Sequence, residues 1–318
     1  MQIVALMPVL DDWPSAQEVI RHLGTVFAAT PHTLSVMLVD DGSSAPPPAG
    51  FGAGPTRISV LRLKRNLGNQ RALAVGMCHL VEKLPCDAVV VMDSDGQDEP
   101  ADALRLVDRL AEEQAASLPG PIIFAERTVR SESLLFRAGY LGYRVLHYVL
   151  TGRGIRVGNF SVVPRARLAA LTSDPKLWKH YAAAVVGGGV PFRTIPSRRG
   201  VRIEGQSRFG YFGHVRHGLM ALSCYDEIIA RRLFILCCFL FGLTAAGLTL
   251  VLEWIRFTPL WPPHAPWYLA AFLLMLLFQA AILLGLMTLQ IIRAQSAPPF
   301  LPIRDYAPFV ERFDPIMP

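Results

Sequence analysis

Two carboxylates one residue apart, Asp93 and Asp95, follow the β-branched run Val89-Val90-Val91 and lead into Gly96-Gln97-Asp98-Glu99-Pro100. Carboxylates so spaced, beside a hard divalent cation, are a standard way to hold a diphosphate. The same residues also fit an acidic turn before a helix, with Asp98 as its cap, because Asp-rich turns are common. A second acidic pair, Asp40-Asp41, precedes Gly42-Ser43 at the end of the apolar run Leu34–Val39. A third polar cluster, Lys64-Arg65-Asn66-Leu67-Gly68-Asn69-Gln70-Arg71, follows the apolar run Ile58–Leu63.

Each cluster stands where a short buried strand should end. The first strand is Ile3–Met7, closed by Pro8, after which Asp11, Asp12 and Pro14 open a helix over about Ser15–Ala28. Further helices are expected over Ala72–Lys83 and Ala101–Ala116, and a strand over Ile122–Ala125 after Pro119-Gly120-Pro121. Alternating strands and helices predict an α/β fold, a mostly parallel sheet with helices on both faces. In such a sheet the strand ends at Asp40/Asp41, Arg65/Asn66 and Asp93/Asp95 share one edge, where ligands of open α/β sheets bind. That convergence favours a binding site over an isolated acidic turn.

Beyond Ser131 the pattern changes. Leu134–Leu150 has helical period with one apolar side and fits either a membrane-surface helix or a packed core helix. Short strands are expected at Asn159–Val163 and Phe192–Ile195, and a basic loop at Ser197–Arg208 carries Arg198, Arg199, Arg202 and Arg208. Tyr211–Arg232 reads as an amphipathic helix. Two long apolar runs follow: Leu233–Ile255, whose one acid is Glu253, and Trp267–Ile292, which carries no charge. Each exceeds the roughly 20 residues that span a bilayer. A Pro-rich turn, Thr258–Pro266, joins them into a hairpin. Arg231-Arg232 precede the hairpin and Arg293 follows it, so the positive-inside tendency expects the N-terminal region and the tail on the cytoplasmic side. The N-terminus lacks a basic stretch and a cleavage site and reads as a first strand.

The 318 residues are 52% hydrophobic, high for a chain without a membrane part, and the net charge is a modest +6. With no zinc-finger spacing, RNP-like motif or long basic run, an anionic membrane surface is the expected partner and nucleic acid is not. Five cysteines with no C-x-x-C make no disulfide framework and suit a reducing compartment. His147, His180, His214 and His217 lack metal spacing, and no Lys-Ser/Thr follows Gly187-Gly188-Gly189 to make a P-loop.

Asp40-Asp41-Gly42-Ser43, Asn66-Leu67-Gly68 and Asp93-Ser94-Asp95-Gly96-Gln97-Asp98 together resemble the family-2 glycosyltransferases of the GT-A fold. More narrowly, the chain is similar to polyprenyl-phosphate glycosyltransferases, the dolichol-phosphate mannose synthase group and its bacterial undecaprenyl-phosphate relatives. The resemblance covers about residues 1–230 and the membrane hairpin. Gly158-Asn159-Phe160 resembles that family's G-[DN]-F-R segment, and Arg199 with Gly205-Gln206-Ser207-Arg208 its R…G-x-S-[KR] segment. The match at the first strand is poor: Pro8, Asp11 and Asp12 stand where the family has P-x-x-N-E.

The resemblance implies that Asp40 and Asp41 contact the donor's base and ribose, with Pro8, Asp11 and Asn66 nearby. It implies that Asp93 contacts sugar or ribose, that Asp95 holds Mg2+ or Mn2+ on the diphosphate, and that Gln97 and Asp98 line the metal and acceptor side. Arg127, Arg199, Arg202, Ser207 and Arg208 are candidates for the acceptor phosphate, because a guanidinium forks onto phosphate oxygens. Related enzymes carry Asp where this chain has Asn159, and an amide cannot take a proton. A phosphate monoester is already mostly ionised at neutral pH and can itself attack.

The implied reaction is a metal-dependent, inverting transfer from a nucleotide-diphosphate sugar to a polyprenyl (undecaprenyl) phosphate, by a homo-oligomer in the inner (cytoplasmic) membrane with two spans and both termini cytoplasmic. The expected parts are a catalytic domain over 1–210, a juxtamembrane helix over 211–232, the hairpin over 233–292 and a tail over 293–318. A processive polysaccharide synthase would carry Q-x-x-R-W and more spans. A non-catalytic scaffold or flippase partner would have lost the acids Asp93, Asp95 and Asp98, which stand intact.

Overall fold

The computed structural model describes residues 1–127, 134–154, 157–198, 200, 202–203, 211–257, 265–296 and 300–316. They divide into two compact units, one of Met1–Val145, Arg153–Cys224 and Phe300–Pro318, the other of Leu146–Gly152 and Tyr225–Pro299.

The first unit begins with strand β1 (Gln2–Val9), helix α1 (Trp13–Phe27), β2 (Thr33–Asp40), β3 (Arg57–Leu63), α2 (Asn69–Lys83), β4 (Ala88–Val91), α3 (Pro100–Ala116) and β5 (Ile122–Arg127). It continues with α4 (Leu134–Thr151, shared with the second unit), β6 (Ser161–Pro164), α5 (Arg165–Thr172), α6 (Tyr181–Gly188), β7 (Phe192–Ser197) and α7 (Tyr211–Leu222). The strands form one sheet of eight in the order β7-β5-β6-β4-β1-β2-β3-β8, where β8 is Val310–Ile316. β1 pairs in parallel with both β2 and β4, and β2 with β3. β6 and β8 run antiparallel to their neighbours, so the expected mostly parallel sheet is mixed toward its edges.

β1 is buried on both faces, which is why its sequence is a continuous apolar run rather than an alternation. Its Val4 and Leu6 pack with Leu73, Met77 and Leu80 of α2 and with Tyr181 and Val185 of α6. Its Ile3, Ala5 and Met7 pack with Ile20 and Leu23 of α1 and with Leu106 and Leu110 of α3. Each such Leu or Ile withdrawn from water stabilises the fold by roughly 1.5–3 kcal/mol.

Three details differ from expectation. Helix α2 starts at Asn69 rather than Ala72, because Gly68, at φ +89°, turns the chain into the helix just ahead of it. The helix expected over Tyr211–Arg232 breaks at a 3-10 turn, Ser223–Tyr225. The tail beyond 293 regains structure: a short helix α10 (Pro302–Asp305) leads to β8, which pairs with β3 from Ile58↔Ile316 to Leu63↔Val310. Three of the five residues of Val310-Glu311-Arg312-Phe313-Asp314 are charged, as suits an edge strand.

The second unit holds helices α8 (Asp226–Phe257) and α9 (Ala265–Ser296), which lie side by side and contain the runs 233–255 and 267–292. Both are long and apolar enough to cross a membrane. Ile235, Phe239, Leu243, Leu250, Phe272 and Phe278 are all exposed on them, far more apolar surface than water tolerates in one patch.

Candidate active site

The acidic strand ends flank β1. The N–H of Asp41 donates to the Val9 carbonyl at 2.9 Å, and that of Met92 to the Leu6 carbonyl at 3.2 Å, so the ends of β2 and β4 lie on either side of the same strand. The sheet therefore brings Asp40/Asp41 and Asp93/Asp95 to one edge.

Asp41 faces the entrance of α2. Its Oδ1 accepts from Leu67 N at 2.7 Å and its Oδ2 from Gly68 N at 2.8 Å, the two N–H groups just ahead of the helix's first residue. Burial pushes its pKa up to about 6, against the lowering effect of those two N–H groups and helped by the neighbouring Asp40 charge. Gly42 cannot be larger: φ is +79°, and a Cβ would stand 2.7 Å from Asn66 N. Asn66 itself is exposed at this turn. Asp40 is fully buried, and its Oδ1 accepts from Ser43 N at 2.8 Å.

The turn after β4 is held from several directions. Asp98 is buried, and its Oδ2 accepts from Asp93 N at 3.0 Å. Asp98 is not the helix cap, which is Glu99. Ser94 Oγ donates to the Pro8 carbonyl at 2.8 Å, tying the turn to β1. Asp95 Oδ1 accepts from Gln97 N at 3.0 Å, an Asx turn that shapes the loop. Asp93 Oδ1 accepts from Asn69 Nδ2 at 3.1 Å.

That last bond ends a chain of amides. Tyr181 N donates to Gln70 Oε1 at 2.8 Å, Gln70 Nε2 to Asn159 Oδ1 at 3.1 Å, Asn159 Nδ2 to Asn69 Oδ1 at 3.2 Å, and Asn69 to Asp93. Asn159 thus joins α2 to the start of β6 and sits two hydrogen bonds from Asp93. Sequence reasoning assigns no role to Asn69 or Gln70. The usable signal is a Gly followed by two amides at a helix start, and it becomes visible only once α2 is seen to begin there.

Arg202 crosses the mouth of the turn. Its Nη2 donates to Asp12 Oδ2 at 3.0 Å, and its Nη1 lies 3.4 Å from Asp95 Oδ2. The backbone clamps the same segment: Gly200 N donates to the Gln97 carbonyl at 2.9 Å and Ile203 N to the Asp95 carbonyl at 3.1 Å. Gly96, at φ +84°, leaves space that Ile203 fills. Asp11, at φ 48°, accepts from Ser44 N at 2.6 Å and Ser44 Oγ at 2.7 Å, bracing the loop after β2. Arg127 closes β5 opposite Ser197 of β7. Arg199, Ser207 and Arg208 lie outside the described residues.

The edge thus gathers several carboxylates with the guanidinium groups of Arg202 beside Asp95 and Arg62 beside Asp40, which suits an anion brought in with a cation. Among the described residues, no three His, Cys, Asp or Glu side chains group to hold a metal by themselves. Asp93 and Asp95 are nevertheless hard oxygen donors, although a cation at Asp95 Oδ2 would have to displace the Arg202 guanidinium that lies 3.4 Å from it. Such a pair fits Mg2+ or Mn2+ when a diphosphate supplies further oxygens.

Among known proteins, residues 5–169 match the family described as Glycosyl transferase family 2. An undecaprenyl-phosphate 4-deoxy-4-formamido-L-arabinose transferase of Klebsiella pneumoniae (strain 342) is 24% identical over 308 residues, covering 90% of this chain and 86% of that protein. A crystal structure of mannosyl-3-phosphoglycerate synthase from Rubrobacter xylanophilus superposes with TM-score 0.49 at 14% identity, covering 73% of this chain and 74% of that one. A mannosyltransferase of Pyrobaculum calidifontis in complex with GDP-Man and Mn2+ gives TM-score 0.43 at 15% identity, covering 89% and 86%.

Proposed function

This chain belongs to glycosyl transferase family 2, and on that premise we propose that it transfers a sugar, with inversion, from a nucleotide-diphosphate sugar to undecaprenyl phosphate at the cytoplasmic face of a membrane. The observation that carries the reading is the joining of Asp93 and Asp95 to one sheet edge in a chain that also bears two membrane-length apolar helices. The acceptor class draws further support from the similarity along 90% of the chain to an undecaprenyl-phosphate transferase.

In this reading Asp40 and Asp41 hold the nucleoside end of the donor, and Asp93 orients the sugar or ribose, with its carboxylate aimed by Asn69. Asp95 holds a divalent cation on the diphosphate. That cation supplies charge neutralisation for the leaving group. The lipid phosphate needs no protein base because it is already an anion. The protein's task is to hold two anions together in line for attack and to compensate their charge. Arg202 is the described cation beside Asp95 and is suited to the acceptor phosphate, with Arg127, Arg199, Ser207 and Arg208 as the further candidates. Asn159 acts by positioning Asn69 and Gln70 rather than by taking a proton.

The test is to incubate the purified chain and undecaprenyl phosphate with a panel of nucleotide sugars and Mn2+, and to detect the lipid product by mass. Asp95→Ala should abolish product, and Asn159→Ala should lower it far less. Unchanged turnover in Asp95→Ala would remove the site assignment, and equal loss in the two variants would make Asn159 chemically essential.

A further inference from the structure

A cavity of about 260 Å3 lies beside Asp40, lined by Phe51, by Val60 and Arg62 of β3, and by Arg312 and Asp314 of the neighbouring β8. Because side chains alternate along a strand, Arg312 and Asp314 share one face of β8, and their pairing partners are Arg62 and Val60. Arg312 Nε and Asp314 Oδ2 are 2.8 Å apart, both half-exposed at the cavity wall.

The chemistry inside the cavity is unfinished. Asp40 is fully buried, yet its Oδ2 makes no hydrogen bond among the described residues, and neither does Arg62 Nε. The two are 3.7 Å apart, and Arg62 Nε also lies 3.3 Å from Glu311 Oε2. A buried carboxylate oxygen with no donor is uncommon, because water is lost to it without replacement. The cavity thus offers two carboxylates, Asp40 and Asp314, beside the guanidinium groups of Arg62 and Arg312 and next to an aromatic ring. That ring, Phe51, is held edge-on by Trp13, with centroids 5.3 Å apart.

Asp40 holds the nucleoside end of the donor in the function proposed above, and we propose that Arg312 and Asp314, on the last strand of the chain, are specificity residues that read the edge of the base there. The inference rests on the reading of the donor as a nucleotide sugar. The ligand it selects is a base with a ring N–H beside a carbonyl. Uracil and guanine present that edge: the N–H meets Asp40 Oδ2, and the carbonyl meets the guanidinium of Arg62 or Arg312. Adenine and cytosine place a ring lone pair against the carboxylate instead. Phe51 supplies the flat apolar face that bases stack on. The segment after the membrane hairpin thereby becomes part of the donor site rather than a tail.

The experiment titrates UDP, GDP, CDP and ADP, each with Mn2+, into the full-length chain in detergent and follows heat. Inorganic pyrophosphate with Mn2+ serves as a probe of the diphosphate end alone. UDP or GDP is expected to bind at least about tenfold tighter than CDP and ADP. Arg312→Ala should weaken that nucleotide about tenfold, the loss of one charge-assisted hydrogen bond, while leaving pyrophosphate unchanged. Asp314→Asn, which frees Arg312 from its partner, should alter the ranking among bases with no effect on pyrophosphate. Equal nucleotide binding by the wild type, Arg312→Ala and Asp314→Asn would overturn the role of β8. So would a parallel weakening of pyrophosphate and nucleotide. If the wild-type chain binds no nucleotide at all, the donor reading itself fails, and this inference with it.

Discussion

Asp41 is the residue whose chemistry is most altered by its surroundings. Burial raises its pKa from 3.8 to about 6, so between those values the folded chain holds a proton that the unfolded chain has released. Stability therefore falls as pH rises across that window. The contribution is fully present below 3.8 and lost once pH passes about 6. A difference of that size between the folded and unfolded carboxyl is worth about 3 kcal/mol. Asp41→Asn removes the titration, although its single acceptor oxygen can serve only one of the Leu67 and Gly68 N–H groups. Thermal unfolding measured from pH 4 to 7 should show a shallower decline in the variant than in the wild type. An identical slope would assign the pH dependence to another group.

At the scale of elements, the site depends on where α2 begins. Starting at Asn69 places two amides in the first turn, and Gln70 then spans from Tyr181 at the head of α6 to Asn159 before β6. Gln70 and Tyr181 are both buried, so the amide is a strut between elements rather than a surface contact. Gln70→Leu keeps the volume but leaves the Tyr181 N–H with no acceptor, which should cost about 1–3 kcal/mol. Calorimetry should show a lower Tm. Transfer should also fall, because Asn159 loses one of the two bonds that aim it and Asn69 at Asp93. A normal Tm with normal transfer would mean that the amide chain positions nothing.

At the scale of the molecule, the chain leaves the sheet after β7, passes through two apolar helices, and returns to add β8 to the edge of β3. Without β8, the N–H and C=O groups of β3 that now pair with it would be exposed. A chain stopped after Ser296 should therefore retain its apolar helices but show a lower Tm in the first unit and a tendency to associate in detergent, read by light scattering. If the shortened chain melts and migrates as the full one does, β8 contributes nothing to the fold.

Much of this is legible from residues alone. The apolar runs ending at Asp40-Asp41 and Asp93-Ser94-Asp95 announce a sheet with acids at one edge, because strand burial and the strand-end turn are local properties. The two long apolar runs announce membrane-length helices for the same reason. The family resemblance is borne out by the match over residues 5–169. Other features depend on partners distant in sequence. Gln70 is an unremarkable amide until Tyr181 and Asn159 stand beside it, 111 and 89 residues away. Arg202 reads as one of several basic candidates for the acceptor phosphate, and nothing local shows that it stands between Asp12 and Asp95. The charge-rich stretch at 310–314 resembles a solvated tail until β3 offers it an edge. The sequence by itself determined which groups carry charge and where strands must end, since those follow from side-chain chemistry and local periodicity. Only the tertiary structure decided which distant groups meet, because hydrogen bonds of that kind are chosen by the packing of the sheet and helices and leave no local trace.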